Sequence, residues 1–325
     1  MIVAFIQRAI VQGIPLLFGS TGEIITEKAG HLNLGTAGVM YVGGIAGVIG
    51  AFMYENSVET INPILAVIIP ILTSILGSLI MGLIYSVLTV TFRANQNVTG
   101  LALTTFGVGV GNFFGGSLIK LTNSELPSIA LTATSNCFKT KIPFADKLGV
   151  IGDIFFSYSF LAYVAIAIAV IAAIFFNKTK TGLNLRAVGE NPATADAAGI
   201  NVSRYKYFST CIGSIRAGLG GLYYVMDYAC GVWSNDGFGD RGWLAIALVI
   251  FAVWKPNISI FGSILFGGLL IVHNYIPNLT MASQEIFKMT PYVVTIIVLI
   301  AISMRRKRET QPPASLGLSY FREER

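Results

Sequence analysis

Apolar and polar positions do not alternate along this chain. They separate into apolar stretches of roughly 18 to 25 residues joined by polar links, each stretch long enough to cross a hydrocarbon core of about 30 Å as a helix. The pattern places spans at 2–25, 32–52, 62–92, 97–116, 158–177, 206–227, 242–254, 258–276 and 290–304, about nine crossings. The span from 242 is short, and the segment before it, YACGVWSNDGFGDR (228–241), is too polar to face lipid. Irregular backbone at membrane depth is tolerated only inside protein or along a water-filled cavity, so a re-entrant or cavity-lining piece is expected there, as in a translocation pathway.

Composition agrees with the pattern. Of 325 residues, 54% are hydrophobic and 12% charged, about half the charge of a soluble protein, and the mean hydropathy is +0.70. An all-α integral membrane protein follows. A secreted disulfide scaffold, a nucleic-acid-binding domain and most soluble enzymes are excluded, so the pI near 9.2 does not point to nucleic acid. The net charge of +6 is concentrated instead. Lys178, Lys180, Arg186, Arg204 and Lys206 against Glu190 and Asp196 leave half of it in 178–206, and the tail from Arg305 carries the other half. Positive charge beside spans marks the cytoplasmic side. Counting back puts Arg93 inside, Glu55, Glu59 and 117–157 outside, and the N-terminus outside. The first apolar run has no preceding basic cluster and no cleavage signal, so it is expected to be a retained span. The chain then divides into a first transmembrane half (1–177), a cytoplasmic loop (178–206), a second half (207–304) and a cytoplasmic tail (305–325), in a plasma (inner) membrane.

Cys137, Cys211 and Cys230 have no ligand spacing and are expected to be packing residues, and His31 and His273 form no metal motif. No G-x-x-x-x-G-K-[ST] phosphate loop, carboxylate pair or nucleophile set is present, so catalysis by this chain is not expected. GHLNLGTAGVMYVGGIAGVIG followed by Gly77, Ser78 and Gly82 is similar to GFGDRGWLAIALVIFAVW followed by Gly262, Ser263, Gly267 and Gly268. The two segments run in opposite directions by the charge count, as in an inverted-topology repeat.

The 179–206 link carries helix punctuation. Asn191 suits an N-cap, Pro192 the first helical position and Gly199 a C-terminal stop, predicting a two-turn helix over 192–198 that needs a docking partner to persist. The string VGENPATADAAGI (Val188 to Ile200) resembles the coupling segment of ABC importer permeases of the branched-chain amino acid, simple-sugar and nucleoside group. AGHLNLGTAGVM (Ala29 to Met40), RANQNVTGLAL (Arg93 to Leu103) and RGWLAIALVIFAVWKP (Arg241 to Pro256) are similar to the same group, in the same order. The pairing of NLG with GENPATADAAGI looks most like the nucleoside-type permeases, with riboflavin and simple-sugar importers as alternatives.

That resemblance implies a type II-like permease subunit without cofactor of its own. It implies a cytoplasmic ABC ATPase carrying ATP and Mg, a second related permease chain and an extracytoplasmic substrate-binding protein. Glu190, Asn191, Pro192, Ala193, Thr194, Ala195, Asp196, Ala197, Ala198 and Gly199 would dock on the ATPase. The sequence departs from the group at Ala37, where an acidic residue often precedes the glycine, and at Arg216, where relatives tend to be small or apolar. Arg216 is either a pathway residue or one side of an ion pair with Asp227 or Glu23. Asn33, Thr36, Asn97, Thr104 and Thr105 either meet a polar solute or tie helices together. Trp233, Trp243 and Trp254 fit interfacial anchoring more readily than stacking on a ligand. The basic tail fits contact with anionic lipid. A secondary transporter driven by an ion gradient would want acidic groups near the midplane, whereas Glu23 and Asp227 sit at span ends.

Overall fold

The computed structural model describes residues 2–121, 128–140, 149–277, 279–305 and 311–322. The chain opens with α1 (Ile2–Lys28), α2 (Thr36–Glu55), α3 (Pro63–Ser86), which winds on as a π turn over Val87–Thr91, and α4 (Gln96–Leu121). Asn62 begins α3 by accepting the Ile64 N–H at 3.0 Å, with Pro63 in the first turn where no N–H is needed. Strand β1 (Ser128–Ala130), α5 (Thr132–Phe138) and α6 (Gly149–Phe155) lead to α7 (Phe160–Lys178), α8 (Lys180–Glu190), α9 (Pro192–Ala197) and α10 (Val202–Tyr223), which ends in a π turn over Tyr224–Tyr228. Strand β2 (Val232–Ser234) pairs antiparallel with β1, Trp233 opposite Ile129. Last come α11 (Arg241–Phe251), α12 (Pro256–Ile271), α13 (Met281–Lys288) and α14 (Thr290–Arg305).

Seven helices among the described residues are long and apolar enough to cross a membrane, fewer than the nine expected spans. The expected span 206–227 is α10, whose Lys206, Ser209, Ser214 and Arg216 are buried among α1, α2 and α3. A helix wrapped by other helices need not be apolar all round. The expected span 242–254 is α11, only 11 residues, or about 16 Å, half a hydrocarbon core. The polar stretch before it is largely non-helical and only partly buried: Trp233 and Phe238 are buried while Ser234, Asn235, Asp236, Gly239 and Asp240 are exposed, and part of its backbone is satisfied from within the protein. The Gly231 N–H donates to Val225 O at 2.8 Å, the Leu131 N–H to Gly231 O at 2.9 Å, and the Tyr224 hydroxyl to Gly237 O at 2.5 Å. The expected 178–206 loop is largely helix, α8 and α9.

The two halves exchange helices. α1 lies on α11 and α12, while α10 lies on α2 and α3. α1 and α10 cross at Gly22 and Gly213, where a Cβ on Gly213 would come 2.7 Å from the Gly22 carbonyl oxygen, so only glycine permits this approach. Ser20 and Ser259 join α1 to α12 hydroxyl to hydroxyl at 2.5 Å, and Ser74 of α3 donates to Gly218 O of α10 at 3.2 Å. The largest buried apolar cluster includes Phe18, Tyr41, Leu222, Met226, Trp233 and Phe238, between α1, α2, α10 and the 229–240 stretch. Large apolar side chains left outside, such as Leu76, Ile80, Ile171, Ile174, Ile296 and Ile300, form the belt expected against lipid.

Trp233 and Trp254 are not interfacial anchors. Both are buried, because β-pairing folds Trp233 onto Tyr41 and Phe238, and the Trp254 indole N–H donates to the Glu27 carboxylate. Cys137 and Cys211 are half-buried, but Cys230 is exposed at a positive-φ turn rather than packed. The basic run after Arg305 falls on 306–310, outside the described residues, as do parts of the expected 117–157 segment. Residues 311–322 are not a loose tail; they lie across the α8–α9 face. There Ser315 N–H donates to Gly189 O at 3.0 Å, and Gly317 N–H to Gly30 O at 3.3 Å.

Candidate functional site

The α9 helix is held at both ends by local chemistry. Asn191 Oδ1 accepts the Thr194 N–H at 3.0 Å, and Pro192 occupies the first turn. At the other end Gly199 takes φ +82°, the Gly199 N–H donates to Asp196 O at 2.9 Å and the Ile200 N–H to Ala195 O at 3.0 Å. This is a Schellman stop, which satisfies carbonyls that the helix end leaves open. One side is anchored to its own chain. Ala195 is buried against Val188 and Val202, and Asp196 accepts from the Tyr320 hydroxyl at 2.9 Å and pairs with Arg322 at 3.2 Å. The other side presents Ala193, Thr194, Ala197 and Ala198, all exposed. The outer face of this short, capped helix therefore carries only small side chains. Glu190, exposed, accepts the Ala314 N–H at 3.4 Å.

The strap formed by 311–322 ties this helix to the rest of the face. Leu318 O accepts from Gln96 Nε2 at 3.3 Å and from Lys206 Nζ at 3.4 Å, and Arg93 lies over the Phe321 ring at 3.4 Å. The strap thereby connects α9 to residues at the ends of α3, α4 and α10.

A buried polar cluster lies directly above. Glu23 accepts the Asn33 N–H at 3.0 Å through one oxygen and the Thr36 hydroxyl at 2.7 Å through the other. It thereby pins the start of α2, which has no side-chain cap of its own. Asn33 Oδ1 turns inward to the Gly35 N–H at 2.9 Å. His31, fully enclosed, meets Thr210 at 3.0 Å. The Thr210 hydroxyl donates to Lys206 O at 3.0 Å, which makes His31 Nδ1 the donor in that pair. Burial, with the Lys206 charge second, holds the His31 pKa well below the ordinary imidazole value.

The expected pathway residues fall into two groups. Asn33 and Thr36 are committed to the Glu23 cluster, and Thr104 donates to Leu34 O at 2.8 Å. Asn97 and Thr105 are exposed on one side of α4, in line with Asn112, which donates to Asp236 at 2.9 Å. Arg216 makes no ion pair among the described residues. Its two terminal guanidinium nitrogens donate to Thr21 O at 3.3 Å and Ile168 O at 2.8 Å, stitching α1 and α7 to α10. Sequence reasoning missed Glu23 and Glu27 as buried organisers. Their spacing of four puts both on one helix face, and that face turned toward α2 and α11 was the signal available.

Among the described residues no group of three His, Cys, Asp or Glu side chains is placed to hold a metal. A family model described as branched-chain amino acid transport system / permease component matches residues 5–299. The chain is 30% identical over 298 residues to the nucleoside ABC transporter permease protein NupC of Lactococcus lactis subsp. cremoris, covering 90% of each. It is 29% identical over 325 residues to the guanosine ABC transporter permease protein NupQ of Bacillus subtilis, covering 98% of this chain and 97% of that one. A putative glucose ABC transporter permease protein of Haloferax volcanii, TsgC13, is 28% identical over 341 residues with the same coverage. No solved structure matches the chain significantly.

Proposed function

Because the chain belongs to the branched-chain amino acid transport system / permease component family and is a permease subunit of an ABC importer, we propose that it conducts nucleosides, driven by a separate ATPase docked on α9. The observation that carries the docking half is the presentation of α9: capped at both ends, anchored on one side and exposing small side chains on the other. The α8–α9 face is then cytoplasmic, in keeping with the charge of 178–206, and the β1–β2 end extracytoplasmic, with the N-terminus outside in an inner membrane. A binding protein delivers the solute at the β1–β2 end, and a second, related permease chain completes the pathway. The exchange of α1 and α10 between halves fits an inverted repeat. The rocking of two such halves is the rigid-body change that a docked α9 would drive.

The line Asn97, Thr105, Asn112 on α4, exposed at its first two positions, is the pathway wall this arrangement favours, with Asn33, Thr36, Thr104 and Arg216 holding the helices that frame it. Nucleosides are supported over other solutes by the names of the Lactococcus and Bacillus relatives. The haloarchaeal relative keeps a simple sugar as the second reading, and riboflavin gains no support. The test is ATPase activity of the reconstituted complex with binding protein, with and without nucleoside. Stimulation by nucleoside alone is expected. Stimulation by glucose instead would move the substrate to sugars, and failure of any ATPase to associate would refute the docking.

A further inference from the structure

A cavity of about 960 Å³ opens where the ends of α1, α7 and α8 meet the start of α12, with no α9 residue in its lining. Lys28 from α1, Arg186 from α8 and Lys255 at the head of α12 all line it. Among the described residues none of the three has an ion pair or a side-chain hydrogen bond. Arg186 and Lys255 act on Lys28 as like charges, opposed by Glu190 and Glu27. Glu190 lines the cavity too, so its three cations outnumber its one carboxylate, while Glu27 accepts from the Trp254 indole. The first turn of α12, with no side-chain cap, adds the positive end of its dipole to the same space. The facing wall is apolar: Phe176 is buried, while Leu183 and Ile258 reach the surface.

Cations in excess over the one carboxylate of the cavity, beside an apolar wall at the end of membrane-spanning helices, match an amphiphile rather than a free ion. We propose that this cavity binds the headgroup of an anionic phospholipid. Its phosphodiester sits among Lys28, Arg186 and Lys255, and its glycerol and first acyl carbons lie along Phe176, Leu183 and Ile258. Inorganic phosphate shares the charge but has nothing to place on the apolar wall. The site rests on the membrane-spanning reading of the chain and needs neither the ATPase nor the nucleoside. A lipid held here wedges α8, and through it α9, against α12.

The test is native mass spectrometry of the full chain, with whatever subunits accompany it, released from nanodiscs holding equal phosphatidylglycerol and phosphatidylcholine. The wild-type protein is expected to retain phosphatidylglycerol at least about thirtyfold over phosphatidylcholine. R186Q/K255Q, which alters two side chains that reach solvent, should lower that retention about thirtyfold, or about fivefold per cation removed. R204Q, an exposed cation lying over Phe208 outside the cavity, should leave it unchanged. Should the double variant fail to accumulate, K255Q alone serves, with about a fivefold loss expected. Equal retention of both lipids, an unaltered double variant or an equal loss in R204Q would overturn the proposal. Displacement of the lipid by millimolar inorganic phosphate would assign the cavity to free phosphate and overturn it as well.

Discussion

Replacing Asn191 by Ala removes one hydrogen bond, to the Thr194 N–H at 3.0 Å, and touches nothing else that is buried. The loss of such a cap costs about 1 kcal/mol. In a long helix that would pass unnoticed, but α9 has 6 residues. Its local stability rests on few terms: the cap, the Schellman pair at Gly199 and Ile200, the Tyr320 hydroxyl on Asp196, and one buried methyl at Ala195, worth about 0.8 kcal/mol. The Asp196–Arg322 pair adds little, since Arg322 is 76% exposed. One kilocalorie is thus a large part of the local total and corresponds to about a fivefold rise in the open population. Hydrogen-exchange mass spectrometry over 191–200 should therefore show about fivefold faster exchange in N191A, with α10 unchanged. N191D should restore wild-type exchange, because Asp caps as well as Asn. Unchanged exchange in N191A, or an equal rise along α10, would refute the idea that α9 opens as a unit of its own. Faster exchange with ATPase coupling intact would refute the docking role instead.

Three further outcomes are expected. G213A should separate α1 from α10 and destabilise the protein by about 1–3 kcal/mol, read as a lowered Tm in detergent; G109A, whose Cβ would meet nothing within 4 Å, should be neutral. E23A should cost about 3 kcal/mol by leaving the Asn33 N–H and Thr36 hydroxyl without their acceptor, and should abolish membrane accumulation, whereas E23Q should retain part of it. His31, neutral when folded, titrates near 6.5 once the chain unfolds. Its contribution is complete above that pH and is lost as pH falls toward the depressed folded value. The Tm of the wild type should accordingly fall more steeply than that of H31Q on going from pH 7 to pH 5, and parallel curves would remove His31 as the cause.

Local chemistry was legible from the sequence. Asn191, Pro192 and Gly199 punctuate α9 because caps and stops depend on the few residues around them, and long apolar runs mark membrane helices because lipid leaves the backbone no other partner. The motifs spread along the chain carried the family for the same reason: each is a contiguous string. What needed the tertiary structure was every pairing across the chain. Whether Arg216 meets a carboxylate or carbonyls depends on α1 and α7 arriving beside α10, nearly 200 and 50 residues away in sequence. Trp254 reads as an anchor until α11 ends against α1 and offers it Glu27. The polar character of α10 and the half length of α11 look like faults in two spans until neighbouring helices are seen to shield one and a partly buried, β-paired segment to lead into the other. Hydropathy records what a residue would prefer in water or lipid. Here the solvent of the decisive residues is other parts of the protein, and only the folded arrangement supplies it.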